Sequence, residues 1–312
     1  MIEDSEIKTT TSPFAIRPGE IKVFDGKDGY VSMNQIIQKI NVGHINDLHF
    51  RIMELVNDFE FITSRQLFKL LEKENFELKS QDKLNNKLEQ LVKTKILTRY
   101  YFNSEDGKGI YRIYCLEKMG KYLLNSRGVE CKWQPTDNTK PVAMIKKRLA
   151  SNQLLISYKD KVQAFDSFEI KVPMNAKQMG KQFKATGGKV TLSKNGKSID
   201  FIFEVIRRED DWQKKLAEKM KLYKDFYSNF VAMDSGFRTM PQLILLCEDE
   251  KHMAETFREI VVNGLEIDKI NLYYTTDLRQ NSSTLERSLA EFKLDPETNK
   301  YRMDNADIKL LA

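Results

Sequence analysis

Cysteine and histidine are scarce in this sequence, with three of each among 312 residues. Cys115, Cys131 and Cys247 lie far apart, make no metal-ligand spacing and leave one odd thiol. That excludes a cysteine metal module or a disulfide framework and predicts a reducing, cytoplasmic setting. His44 and His49 stand five apart with no HExxH-like pattern around them, and read as core or surface residues. GxSxG and GxxxxGK[ST] are both absent, so neither a serine-hydrolase elbow nor a phosphate-binding loop is predicted. Gly187-Gly188-Lys189 is too short a signal to mean phosphate binding. No apolar run approaches the roughly 18 residues that a membrane helix needs. The opening MIEDSEIKTTTSP has no apolar core, so no signal peptide is expected. No cofactor and no resident metal are expected.

What is present suits a globular chain. The hydrophobic share is 41% and the charged share 31%, and the length suggests two domains. The 51 Lys+Arg against 45 Asp+Glu leave +6, a mildly basic balance compatible with nucleic acid.

The organising stretch runs from Asp47 to Cys115. Leu48, Ile52, Leu55 and Val56 recur at helical spacing in DLHFRIMELVNDF. Thr63 and Ser64 precede RQLFKLLEK, where a hydroxyl can cap a second helix. Ser80 or Asp82 can cap a third, KLNNKLEQLVKTK, with Leu84, Leu88, Leu91 and Val92 as its inner face. Two β-rich runs, ILTRYYF and GIYRIYCL, follow around the turn-rich NSEDGKG and read as a hairpin. Helix, helix, helix, hairpin is the order of a winged helix-turn-helix. The outer face of the third helix offers Lys83, Asn85, Asn86, Lys87, Gln90 and Lys93, lysines for phosphates and amides for base edges. Lys108 at the wing tip and Arg99 and Arg112 on its strands complete the expected DNA-binding set. Glu105 and Asp106 at the wing weigh against a tight wing–phosphate contact.

In chain order, residues 1–20 read as a flexible N-terminus, broken by Pro13 and Pro18. Residues 21–130 form the winged-helix domain with a lead-in that includes a helix at SMNQIIQKI. EKMGKYLLNSRG closes it, and residues 131–140 are the expected linker. Residues 141–275 form a second domain. PVAMIKKRLASNQLLISYK is a helix, and FDSFEIKV, KVTLSK and SIDFIFEVI are strands, the last two joined by the turn former Asn195-Gly196. A long helix follows with Trp212, Leu216, Met220, Tyr223 and Tyr227 as its apolar stripe; the aromatics Tyr223, Phe226, Tyr227 and Phe230 read as core rather than a base-stacking platform. PQLILLCE is a buried strand, KHMAETFREIVVNG a helix and INLYYTT a strand. That order implies an α+β chain whose second domain is an α/β layer on a mixed sheet. Residues 276–312 read as peripheral, with a helix at STLERSLAEF.

A winged helix followed by PVAMIKKRLASNQLL, IDFIFEVIRRE and LAEKMKLYKDFY resembles the replication-relaxation family of plasmids and integrative elements, over residues 47–275. The second domain also resembles the PD-(D/E)xK nuclease core. That resemblance implies an Asp at the start of one strand and Glu-x-Lys on the next, the carboxylates holding a divalent metal and the Lys orienting water. Glu204 stands at the Glu position, but Ile206 replaces the Lys, and Gly188 or Lys189 replaces the Asp.

The reading expected from these features is a sequence-specific binder of double-stranded DNA. It would be an accessory or initiator protein of a plasmid or integrative element, in replication, mobilisation or conjugative transfer. Its nuclease-like domain would be inactive and serve dimerisation or partner binding, the partners being a second copy or a relaxase or replication protein of the element, with no membrane role. The alternatives are a metal-dependent nuclease with a migrated site built from Glu169, Asp200 and Glu204, or a transcription regulator.

Overall fold

The computed structural model describes residues 12–306 apart from 73, 75, 77, 79, 106–110, 132, 283, 285 and 286. The chain divides into two compact units, residues 17–152, and residues 153–312 together with 1–16.

In the first unit, local capping chemistry sets the helix starts. Strand β1 (Ile21–Phe24) is followed by helix α1 (Met33–Asn41), where Ser32 and Gln35 cap each other's backbone N–H. Helix α2 (Asp47–Phe59) buries Phe50, Ile52, Met53, Leu55, Val56 and Phe59. Each such side chain is worth about 1.5–3 kcal/mol relative to exposure. The two-residue strand β2 (Ile62–Thr63) leads into α3 (Ser64–Leu71). Thr63 caps α3 by accepting from the Gln66 N–H, while Gln66 returns its carbonyl to the Thr63 N–H. Helix α4 (Gln81–Lys93) starts at Ser80, whose hydroxyl accepts from the Lys83 N–H. Strands β3 (Leu97–Asn103) and β4 (Ile113–Leu116) pair antiparallel, Leu97 opposite Leu116 and Arg99 opposite Tyr114. The expected order of helix, helix, helix and hairpin is present, enlarged into a four-stranded sheet, β1-β3-β4-β2. Helix α5 (Lys118–Ser126) closes the hairpin.

Residues 131–140, expected as a linker, bury Cys131 and Trp133 and include a 3-10 turn, Pro135–Thr139. The units divide later, inside helix α6 (Val142–Lys161). The reason is hydrogen bonding by the first half of that helix. Asn152 donates to the carbonyls of Phe59 and Phe61, at 3.1 and 2.7 Å, and the Leu149 carbonyl accepts from Gln66 at 2.8 Å. Lys146, 1% exposed, pairs with Glu20.

The second unit is built on a seven-stranded mixed sheet. Strand β5 (Phe165–Glu169) is followed by a small hairpin, β6 (Pro173–Ala176) and β7 (Lys181–Lys184). Then come β8 (Gly188–Lys194), β9 (Lys197–Val205), α7 (Trp212–Ser228), the short α8 (Ala232–Ser235) and β10 (Gln242–Cys247). After them lie α9 (Glu250–Val262), β11 (Leu272–Thr276), α10 (Asp277–Ser282), β12 (Ala290–Asp295) and β13 (Lys300–Asn305). The sheet order is β13-β12-β11-β10-β9-β8-β5. Strands β9, β10 and β11 are parallel and the remaining pairs antiparallel. The fold class is therefore α+β with a mixed sheet. Asn195 and Gly196 both take positive φ, 52° and 75°, as the two-residue hairpin between β8 and β9 requires. Helices α7 and α9 share one core with Ile202, Leu243, Leu245, Cys247 and Tyr274. Tyr158 of α6 packs edge-on against Phe203, which alternates to the opposite face of β9.

Three expectations change. The hairpin β6–β7 was not foreseen. The helix expected at STLERSLAEF is absent from Ala290 onward, where β12 extends the sheet. Ala290 and Phe292 lie on its inner side, and the Phe292 ring stacks on Phe257 at 4.1 Å, so core packing overrides helical propensity. The expected flexible start does not hold from Ser12, since Ser12, Phe14 and Ala15 are buried.

The first unit requires the start of α6. A fragment of residues 17–156 is expected to melt cooperatively. One ending at Lys140 loses buried Ile145 and Leu149, at about 2 kcal/mol each. Urea denaturation of the two fragments measures the difference; equal midpoints would contradict this role for α6.

Candidate nucleic-acid interface and a closed carboxylate node

Helix α4 presents its outer face as its periodicity dictates. Leu84, Leu88, Leu91 and Val92 are buried, while Lys83, Asn85, Asn86, Gln90 and Lys93 are exposed and Lys87 is half-buried. Their availability differs. Lys83, Asn86 and Lys87 make no side-chain hydrogen bond or ion pair among the described residues. Asn85 accepts from Gln81 at 3.2 Å, and Lys93 approaches Glu89 at 3.7 Å. Gln90 is held from below, its carbonyl 3.0 Å from Nε2 of His49 on α2. His49 is fully buried and engages Asn46 through Nδ1. Burial lowers its pKa, opposed by the Gln90 contact, so the ring is neutral at pH 7. Bidentate contact with adenine uses both amide atoms. With one carbonyl lone pair held by His49, Gln90 is less free than Asn86 to take up that geometry.

The expected wing contacts also divide. Arg99 is 8% exposed, with Nε 2.8 Å from Asp25 and Nη1 2.6 Å from Glu89. It is removed from the DNA-facing set, because an arginine enclosed by two carboxylates joins α4 to the sheet rather than reaching outward. Arg112 also touches Asp25, at 3.1 Å, but its side chain is 60% exposed and can turn to solvent. Lys108 lies outside the described residues.

In the second unit, Glu204, Asp200 and Glu169 each have separate partners. Glu204 is 5% exposed. It accepts from the Thr186 hydroxyl at 2.9 Å, the Thr186 N–H at 3.2 Å and the Tyr223 hydroxyl at 2.7 Å. Lys219 of α7 stands 3.6 Å away. Burial and the adjacent Glu204 hold the Tyr223 hydroxyl far above its usual range, so it remains a donor. Asp200 accepts from Thr191 at 2.6 Å, and Glu169 pairs with Lys189 at 2.5 Å. Glu169 stands on β5, separated from β9 by β8, which is about 10 Å at normal strand spacing. Among the described residues no three acidic, histidine or cysteine side chains gather closely enough to hold a metal ion.

The glycine at the expected Asp position has a structural cause. Gly188 has φ of +82°, and a Cβ there would lie 2.4 Å from the Glu169 carbonyl. The β5–β8 approach thus leaves no room for a carboxylate. The residues do not fit the divalent metal that the nuclease resemblance implies.

A second polar cluster, not foreseen, lies past the carboxyl ends of β9, β10 and β11. Fully buried Arg207 pairs with Asp277 through Nη2 at 2.7 and 3.0 Å, and Nη1 donates to the Ile206 carbonyl at 2.8 Å. The Ser12 hydroxyl donates to Asp277. Glu248 accepts from the N–H groups of Ile16 and Arg208, and Arg208 spans Asp249 and Glu255. Buried His252 accepts the Glu248 N–H on Nδ1 and meets Trp212 edge-on at 4.8 Å. These partners come from separate strand ends and the N-terminus, so no local spacing announces them.

No family model and no curated protein matches this chain. Among solved structures it is similar to the restriction endonuclease FokI, with 10% identity and a TM-score of 0.28 over 75% of this chain. The match covers 43% of that enzyme, so the chain spans less than half its length. No helix among the described residues is long and apolar enough to cross a membrane.

His252 makes stability depend on pH. Burial, then the positive Arg208 and Arg207, push its pKa from 6.5 down to about 3. Between these values the unfolded chain binds the extra proton. Stability is therefore complete above pH 6.5 and falls on acidification by about 1.4 kcal/mol per unit. Burial raises the pKa of Glu248 and Asp277, a contribution of opposite sign that is lost as pH rises through their folded values. A His252→Asn variant is expected to show a flatter acid limb in urea denaturation from pH 7 to 4; an unchanged slope would contradict the assignment.

Proposed function

We propose that residues 47–116 act as a winged helix-turn-helix that binds double-stranded DNA, with α4 in the major groove. The observation that carries this reading is the unpaired outer face of α4, with Lys83, Asn86 and Lys87 above a fully buried leucine stripe. Lysines supply phosphate contacts, and Asn86 has both amide atoms free for an adenine edge. Arg112 and Lys108 are proposed as wing contacts, and Gln90 as a weaker base contact. Helix residues Asn85 and Lys93 lie at the margin. The replication-relaxation resemblance supports an accessory or initiator role on a plasmid or integrative element. The partners proposed are a relaxase, a replication protein or a second copy.

Binding can be measured by anisotropy on duplexes selected from random sequence or from the element's own DNA. Lys83→Ala with Lys87→Ala is expected to weaken binding to every duplex and reduce the salt slope by about two units. Asn86→Ala is expected to relax preference at one base pair by about 1–3 kcal/mol. A double lysine variant that binds as the parent does would remove α4 from the interface.

The second unit is proposed as a non-catalytic scaffold. Phosphodiester hydrolysis at a metal needs carboxylate oxygens converging on one cation. Glu204 instead is committed to Thr186 and Tyr223, and Glu169 to Lys189. Supercoiled, linear and single-stranded DNA are expected to survive incubation with Mg²⁺ or Mn²⁺. Cleavage abolished by Glu204→Gln would establish the nuclease alternative instead.

A further inference from the structure

The thirty residues from Ile170 to Ile199 contain seven lysines and no acidic residue. Their charge of +7 exceeds the +6 of the entire chain, so the remainder is slightly acidic. Residues 47–116, by contrast, have twelve basic and eleven acidic side chains. The second unit carries a net charge of −1, so this acid-free stretch is a local concentration of positive charge within it.

The fold exposes six of these lysines, while Lys189 is buried against Glu169. In the β6–β7 hairpin, Met174, Ala176 and Phe183 enter the core, and Phe183 packs edge-on against Tyr223 at 5.1 Å. The opposite register pairs, Pro173 with Lys184 and Asn175 with Gln182, are exposed, as are Lys177 and Lys181 at the turn. The hairpin is fixed to α7 at both ends. The Met179 N–H donates to Asp225 at 3.0 Å, and Lys219 donates to the Lys184 carbonyl at 2.5 Å. Asp225 is itself buried, and residues 173–184 contain no acidic side chain. Helix α7 itself exposes Lys214, Lys215, Lys221 and Lys224 against one acid, Glu218, and Lys224 donates to the Gly264 carbonyl at 3.0 Å.

We propose that the outward face of the β6–β7 hairpin is a sequence-independent contact for the phosphate backbone of nucleic acid. Lysine ammonium groups neutralise phosphates without requiring a fixed fork geometry, and the interleaved Asn175 and Gln182 can bond sugar or phosphate oxygens. An anionic membrane would also attract the charge, but surface insertion requires a broad apolar face. Met179, 42% exposed, is the one large apolar side chain on the turn. The contact does not depend on α4, which would select sequence while the hairpin supplies affinity.

The test uses the full chain and a fluorescent duplex of random sequence, with anisotropy measured between 50 and 200 mM salt. In Lys177→Gln/Lys181→Gln/Lys184→Gln the slope of log K against log salt is expected to fall by about 2.7 units, at 0.9 per phosphate contact. Affinity at low salt should fall at least tenfold, and the corresponding triple Arg variant should restore both. Thermal midpoints verify folding, and Lys181→Glu alone gives a smaller loss of the same sign should the triple variant fold poorly. The Lys83/Lys87 double alanine variant should still lose affinity when the hairpin is then altered, which separates this contact from α4. A folded triple Gln variant with an unchanged slope overturns the proposal. So does unchanged DNA binding alongside lost binding to phosphatidylserine–phosphatidylcholine vesicles.

Discussion

The placement of α4 depends on Arg99. Its guanidinium lies between Asp25, just after β1, and Glu89 on the helix itself. A largely desolvated arginine is costly unless charged partners surround it, and removing one partner leaves the others uncompensated. Asp25 also meets Arg112, so Asp25, with Glu89, couples the lead-in, the β3–β4 hairpin and the helix. His49 adds a second tether through Gln90. The lead-in is thus part of what holds α4, and the outer face it leaves free is narrower than the exposed residues suggest.

The second unit uses polar residues in a different way. Its sheet places Glu204 in a buried niche closed by Thr186 and Tyr223, and fixes the ends of its parallel strands with Arg207, Asp277, Glu248 and His252. Carboxylates that all have local donors do not converge on a cation. The same unit, net −1 as a whole, carries the acid-free segment 170–199 with its seven lysines. The proposed phosphate contact on one unit and the proposed recognition helix on the other would separate affinity from selectivity.

Much of the fold is legible locally. The leucine stripe of α4, the hydroxyl caps at Thr63 and Ser80 and the Asn195-Gly196 turn depend on interactions within a few residues, so spacing alone specifies them. The hairpin β6–β7 was not legible, because Met174 and Phe183 become inward residues only against α7. The strand at Ala290 was misread for a related reason: its helical propensity is weak beside the stacking of Phe292 on Phe257.

Charge content likewise follows from sequence, but its use does not. The residues near α4 could be named because a helix of period 3.6 must expose Lys83, Asn86 and Lys87 when it buries Leu84, Leu88 and Leu91. Which polar groups were already occupied was decided by contacts across long stretches of chain: Arg99 with Asp25, Gln90 with His49, Glu204 with Thr186 and Tyr223. Gly188 makes the same distinction, since the sequence shows the missing Asp and the approach of the Glu169 carbonyl explains it. Periodicity acts over one or two turns and determined the elements; hydrogen-bond partners meet only when those elements pack, so the tertiary structure alone decided which side chains remain free.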